Sequence, residues 1–277
     1  MDKRNIYTII LIVAAAFLSA IVTLIIVDSS DTPSSYDKVT IQSSFLKEKR
    51  EIIIKKPRNY VANKKYPVVF VLGGNSLTYS VVHDLSLLSR VGNIPDVIVV
   101  GVTNIDQKSR QRDLTPPFLK QDLDDKDSSL GEADNYLDFI EKEVIRFVKE
   151  NYNVSKKIVI GHSREGLLVM YSIMARPKLF DARIALSPAL WRENNVFVKQ
   201  FGEFLSKNKQ VDGDLFISMG KKEVNKMKNA FELTIQTLNS NAPETFKWKS
   251  FYMPNATHQT NHYLTAAIGV DHIFNKR

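Results

Sequence analysis

Residues 161–166 read GHSREG and follow the apolar run KIVI at 157–160. This puts Ser163 where a strand would turn sharply into a helix. A serine on such a bend has its hydroxyl lifted clear of the fold, and the pattern G-x-S-x-G marks the bend because small flanking residues leave room for it. Gly161 fills the position two before the serine; Glu165 stands two after it, where the pattern has glycine. A serine hydroxyl at its ordinary pKa is a weak nucleophile. It needs a base in hydrogen-bond reach, and the base needs a partner that orients it.

Of the five histidines, His83 precedes Ser163, against the order serine, acid, histidine that accompanies this kind of turn. His162 adjoins the serine, but its side chain is expected to point away and pack. His262 and His272 fall inside a predicted final helix, where packing or surface roles are the default. His258 follows the last extended segment in the polar stretch PNATH and is the expected base. The acid should follow the strand at 214–218, and Glu223 stands a few residues beyond it. Glu223 is read either as that acid or as a glutamate favoured by a helix N-terminus. Asp212 precedes the same strand and Asp214 opens it, so both would lie at the wrong end of the sheet. The oxyanion needs two backbone N–H donors aimed where charge develops. Arg164, directly after the serine, supplies one; the turn Gly73-Gly74-Asn75 supplies the other from Asn75, with Gly74 letting the backbone come close to substrate.

The elements that must position these groups alternate along the chain. Strands are expected at 39–41, 50–55, 66–72 (YPVVFVL), 96–102 (DVIVVGV), 157–160, 183–186, 214–218 and 246–252. Helices are expected at 83–90, 131–151, 164–175, 195–206, 223–239 and 261–274. The clearest is 131–151, where Tyr136, Phe139, Ile140, Val144, Phe147 and Val148 recur at three- and four-residue spacings. Such alternation specifies an α/β fold with a mostly parallel sheet covered on both faces, whose ligands sit beyond the carboxyl ends of the strands. Ser163 falls at such an end.

Ahead of this domain, residues 6–27 are 22 positions without a charge. As a helix they would rise roughly 33 Å, enough for a hydrocarbon core of about 30 Å. Lys3 and Arg4 precede the segment and no Lys or Arg follows before Lys38. The charge bias puts the N-terminus in the cytoplasm and the rest outside, in the periplasm or extracellular space. A cleaved signal peptide is the alternative, with an apolar region longer than the about 7–15 residues usual there. Residues 28–37 (DSSDTPSSYD) form a polar linker, and 38–277 the folded domain. The chain has no cysteine, so disulfides, thiolate metal sites and a lipoprotein anchor are excluded. The formal charge is +8, of which Lys3 and Arg4 against Asp2 contribute +1. The remainder suits either an anionic headgroup surface or substrate, or scattered solvating lysines. Nucleic acid is disfavoured by the topology, and no metal or cofactor is expected.

With these pieces in order, the chain resembles the putative-esterase family of α/β-hydrolases. The resemblance is carried by residues 66–75 (YPVVFVLGGN), 97–104 (VIVVGVTN), 110–117 (RQRDLTPP), 131–152 and 161–191. It runs from about Ser43 to Phe274, and RxRDLTP and SPxLW are more specific than the serine turn itself. That family includes enterobactin-type siderophore esterases, feruloyl esterases and enzymes similar to S-formylglutathione hydrolase. The resemblance implies an ester hydrolase with Ser163 as nucleophile, His258 as base and Glu223 as acid where one is used. Two departures stand out: Glu165 where the family usually has Gly, and Gly73-Gly74 where it often has Asp-Gly. Glu165 would crowd a neighbour, point outward, or, if buried near His258, act as the acid. Arg164, Arg110 and Arg112 are candidates for an anionic substrate group; Arg110 and Arg112 would alternatively pair with Asp113 to hold their loop. Trp191 would wall the pocket or belong to the core. The expected function is a membrane-anchored serine esterase acting through an acyl-enzyme on a small-molecule ester. The rival expectations are a catalytically silent binding protein of the same fold and an acyltransferase using the same serine.

Overall fold

The computed structural model describes residues 36–122 and 125–276. Eight strands form one sheet: β1 (Asp37–Gln42), β2 (Lys49–Lys55), β3 (Tyr66–Leu72), β4 (Ile98–Val102), β5 (Val154–His162), β6 (Ala182–Leu186), β7 (Gly213–Gly220) and β8 (Phe246–Met253). Their spatial order is β1-β2-β4-β3-β5-β6-β7-β8. The pairs β1–β2 and β2–β4 are antiparallel, and all the rest are parallel. The antiparallel pairs thus form one edge of a sheet otherwise built from crossover units.

The apolar runs behave as buried parallel strands should. Every residue of β3 is buried, and alternate side chains go to opposite faces. Val68, Phe70 and Leu72 join a core with α3 (Ala133–Phe139), α4 (Ile145–Asn151), α5 (Arg164–Ala175), α6 (Arg192–Lys207) and α7 (Asn225–Asn241). Val69 and Val71 join a second core, where α1 (Asn75–Arg90) contributes Leu77, Val81 and Leu85 and α8 (His258–Asn275) contributes Ala266, Val270 and Ile273. One further short helix, α2 (Gln107–Asp113), follows β4. This is the α/β-hydrolase arrangement, with helices on both faces.

The elements depart from the sequence reading at their ends and once in the middle. The expected helix at 131–151 is interrupted by a π-helical segment, Ile140–Val144. Its apolar stripe at 136, 140, 144 and 148 advances four residues per step, slightly more than one α-helical turn. The i→i+5 segment adds residues to a turn and keeps Ile140, Val144 and Val148 facing the core. Helix α8 begins at His258, three residues before the expected start, because Thr257 caps it: the hydroxyl of Thr260 accepts the amide of Thr257 at 3.0 Å. Helix α6 begins at Arg192 through three left-handed residues, Glu193, Asn194 and Asn195. The anticipated membrane-spanning segment at 6–27 and nearly all of the 28–37 linker lie outside the described residues. No helix among the described residues is long and apolar enough to cross a membrane.

Candidate active site

Ser163 sits between β5 and α5 with φ 59° and ψ −113°, a conformation a side-chain-bearing residue holds only when its surroundings enforce it. Three backbone bonds enforce it: the Ser163 amide donates to Leu186 O at 3.0 Å, and its carbonyl accepts from Leu167 at 2.9 Å and Ala189 at 3.0 Å. Gly161 is required by close approach. A Cβ there would come within 2.5 Å of the backbone carbonyl of Glu165.

The turn carries the serine hydroxyl to His258. Ser163 Oγ lies 3.1 Å from His258 Nε2, and His258 Nδ1 lies 2.9 Å from Glu223 Oε2. The Glu223 side chain is fully buried, whereas that of His258 is 28% exposed. The other carboxylate oxygen of Glu223 accepts from Ser187 Oγ at 2.5 Å and from the Gly220 amide at 2.8 Å. Ser187 in turn accepts from Asn261 Nδ2 at 2.9 Å, and the same amide donates to Ser218 Oγ at 3.0 Å. A buried carboxylate is thus held by three donors, and a carboxylate that accepts from Nδ1–H leaves Nε2 free to receive the serine proton. His258 occupies the first turn of α8 and not the loop expected from sequence.

His162 is not turned away from this group. Its Nε2 donates to the carbonyl of His258 at 3.0 Å, and its ring lies 4.6 Å from that of His258 and 4.0 Å from that of His262, centroid to centroid. Burial, with the neighbouring imidazoles of His262 and His258, drives the His162 pKa down to about 2. Burial, and then His258, also lowers that of His262. Both rings are therefore neutral near pH 7.

The two residues expected to supply backbone donors stand at helix N-termini. Arg164 is the first residue of α5, and Asn75 the first of α1, with Gly74 as its cap. First-turn amides have no intrahelical acceptor and carry the positive end of the helix dipole. A Cβ on Gly74 would meet nothing within 4 Å, so open space lies above this turn.

The remaining candidates are placed as follows. The Arg164 guanidinium donates to Gln121 O at 2.9 Å and Thr115 Oγ1 at 3.3 Å, within the segment that follows α2. Arg112 is paired with Asp113 at 2.7 Å and Glu48 at 2.7 Å, and the fully buried Arg50 bridges the same two carboxylates. Arg112 thus holds its loop, the second of its two expected roles. Arg110 does not pair with Asp113. Its Nε and Nη2 form a fork on Glu165, at 2.7 and 2.6 Å. Glu165 is therefore neither outward-pointing nor facing His258, and the carboxylate in contact with His258 is that of Glu223. Trp191 is half-buried at the start of α6, with Lys226 Nζ 3.7 Å from its ring centroid. Ser187 and Asn261 escaped the sequence reading. Ser187 lies inside the SPxLW motif already singled out, whereas nothing in the sequence marks Asn261. Among the described residues no group of three or more His, Asp or Glu side chains is arranged to hold a metal ion. A cleft of about 570 Å³ lined by Lys55, Arg58 and Arg90 lies at the opposite end of the sheet and contains none of these groups.

A strained serine between a parallel strand and a helix, with an imidazole and a buried carboxylate in line, defines the site architecture of an α/β-hydrolase. Residues 43–266 match the family described as "Putative esterase", and the chain belongs to that Esterase family. It is similar to ferri-bacillibactin esterase BesA of Bacillus subtilis (strain 168), 28% identical over 173 residues, 57% of this chain and 60% of that protein. It is also similar to the siderophore triacetylfusarinine C esterase of Aspergillus fumigatus, 27% identical over 181 residues, 60% of each chain. The matches thus span about three-fifths of these relatives' length. Among solved structures, an IroE-like serine hydrolase from Shewanella oneidensis is 27% identical with a TM-score of 0.80, covering 87% of this chain and 80% of that one. The siderophore hydrolase EstB from Aspergillus nidulans, 20% identical with a TM-score of 0.72 and covering 88% and 96%, shares the fold.

Proposed function

We propose that the chain is a serine carboxylic-ester hydrolase working through an acyl-enzyme. The observation that carries this reading is the line Glu223 Oε2, His258 Nδ1 and Nε2, Ser163 Oγ, with successive separations of 2.9 and 3.1 Å, at a strained strand-to-helix turn. In this mechanism Ser163 Oγ attacks the ester carbonyl as its proton passes to His258 Nε2. Glu223 keeps Nδ1 protonated and stabilises the imidazolium. The tetrahedral oxyanion is met by the amides of Arg164 and Asn75. His258 then delivers its proton to the departing alkoxide, leaving the acyl group on Ser163. Water attacks that ester with the same imidazole as base, and serine is restored.

The names of the similar proteins support siderophore ester backbones as the substrate class. A glutamate in place of the usual glycine at the serine turn would favour a catalytically silent protein if it blocked the turn, but Glu165 is paired with Arg110. We further infer from the sequence that residues 6–27 tether the domain on the outer face of a membrane. Carbonate extraction of the full chain from membranes is expected to leave it in the pellet, while residues 28–277 stay soluble; release of both would overturn the tether.

The domain should release p-nitrophenol from short-chain esters and be labelled by a fluorophosphonate. Ser163→Ala is expected to lower kcat on the order of 10⁴–10⁶-fold and to abolish labelling. Equal inactivity of both proteins over a broad ester panel, with no labelling of either, would sink the reading.

A further inference from the structure

Glu165 replaces the small residue that its turn is built for, and it is buried, at 4% exposure. Its side chain touches three segments near the carboxyl ends of the strands: the loop after β4, α2 and the turn after β3. It is the second residue of α5, next to Arg164. Its Oε1 accepts from Arg110 Nε at 2.7 Å and from Asn104 Nδ2, on the loop after β4, at 2.9 Å. Its Oε2 accepts from Arg110 Nη2, on α2, at 2.6 Å. The stem of the same side chain lies under the turn after β3. Gly73 there has φ 118°, and a Cβ on it would meet Glu165 Cγ, Cδ and Oε1, each at 3.4 Å. Gly73 is further tied to β4 by its amide, 3.2 Å from Val102 O.

This arrangement fixes a distance that the proposed reaction depends on. One oxyanion donor, the Arg164 amide, precedes Glu165 in the chain. The other, the Asn75 amide, is two residues from the Gly73 that rests on Glu165. Oxyanion stabilisation is lost steeply when a donor is absent or misplaced, by 10²–10³-fold for a missing one. A fork of two charge-assisted bonds defines direction as well as distance. The Asn104 amide must turn its nitrogen to the carboxylate, since its oxygen would be repelled there. We infer that Glu165, clamped by Arg110 and Asn104, is a positioning residue that holds the two oxyanion donors in register across the β3 and β5 turns. The residue that departs from the G-x-S-x-G pattern is thus a brace for the oxyanion site. The inference rests on the esterase reading for its catalytic consequence but not for the loop ordering it asserts.

Both parts are tested with Glu165→Gln, which keeps the volume under Gly73 but loses the charge, and with Arg110→Lys, which keeps the charge but loses the fork. Each should lower kcat about 10–100-fold with KM within about twofold, and should weaken phenylboronic acid, a tetrahedral-adduct mimic, by the same factor. The pH at half-maximal kcat/KM should not move, because neither change touches His258 or Glu223. Amide hydrogen exchange at Gly73, whose amide is bonded to Val102 O, should quicken at least about tenfold relative to the rest of the sheet. A folded Glu165→Gln protein with wild-type kcat, boronate affinity and exchange would overturn the brace. So would a loss confined to KM. Should Glu165→Gln fail to fold, Arg110→Lys decides the same question. Should the wild type turn over no ester, the esterase reading fails and exchange at Gly73 alone decides whether Glu165 orders the turn.

Discussion

Glu223 is the residue whose contacts leave least freedom. Asn261 donates to Ser187, so the Ser187 hydroxyl proton is directed to Glu223 Oε1, which also receives the Gly220 amide. Two donors at one oxygen define which end of an amide would sit there. In Glu223→Gln the carbonyl oxygen must take the place of Oε1, which turns the NH2 towards His258 Nδ1. His258 then accepts at Nδ1 and carries its proton on Nε2, where it cannot receive one from Ser163. We expect kcat to fall about 10³–10⁴-fold near pH 7 while the protein stays folded, the cost of a wrong tautomer at intact geometry. Steady-state hydrolysis of a p-nitrophenyl ester measures it; a loss under about tenfold would mean that the carboxylate does not set the tautomer. The residues that could be read from sequence were those that motif and chain order define. Ser163 stood in a turn pattern, His258 survived comparison with the other histidines, and Glu223 followed the right strand. Asn261, buried inside α8, could not be found because its partners, Ser187 and Ser218, lie 74 and 43 residues away. The role of Glu165 was hidden for the same reason, since Arg110 and Asn104 are 55 and 61 residues distant.

The elements divide along the same line. Strands β3 and β4 were legible because a buried parallel strand is apolar throughout, and the π segment was not, because four-residue spacing also fits an α-helix. One interaction between elements has a measurable weight. Arg183, on β6, is fully buried and caps the C-terminal end of α5. Its Nη2 donates to Arg176 O at 3.1 Å and Pro177 O at 2.9 Å, Nη1 to Phe180 O at 3.0 Å, and Nε to Ser172 Oγ at 2.9 Å. Burial pulls its pKa down to about 10, so it remains a cation at neutral pH and complements the negative helix terminus. Arg183→Met keeps much of the volume and removes every donor. Buried carbonyls left unpaired make this cost about 2–4 kcal/mol. Urea denaturation should show a lower midpoint at unchanged slope. Because the cap lies at the end of α5 remote from Ser163, kcat at 25 °C should stay within about twofold. A drop in kcat without a drop in midpoint would contradict this division of labour.

For the molecule as a whole, the neutral histidines behind the site couple folding to pH. His162 has a folded pKa of about 2 against an ordinary value of 6.5, and that of His262 is lowered too. Between those two values the unfolded chain binds protons that the folded one refuses, so unfolding gains ground as pH falls. The stability is complete above about pH 6.5 and is lost progressively below it, at up to about 1.4 kcal/mol per pH unit for each fully excluded imidazole. His162 alone is then worth about 2 kcal/mol between pH 7 and pH 5, which in a domain of this size lowers Tm by several degrees. The flanking rings of His262 and His258 and the Arg110 charge act in the same direction, and the hydrogen bond to the His258 carbonyl acts against them without reversing the shift. His162→Gln retains a neutral donor for the His258 carbonyl and has nothing to titrate. Calorimetry at pH 7 and pH 5 should therefore show a smaller Tm loss in His162→Gln than in the wild type. Equal losses in the two proteins would place the pH dependence elsewhere and show that His162 is protonated without unfolding the domain.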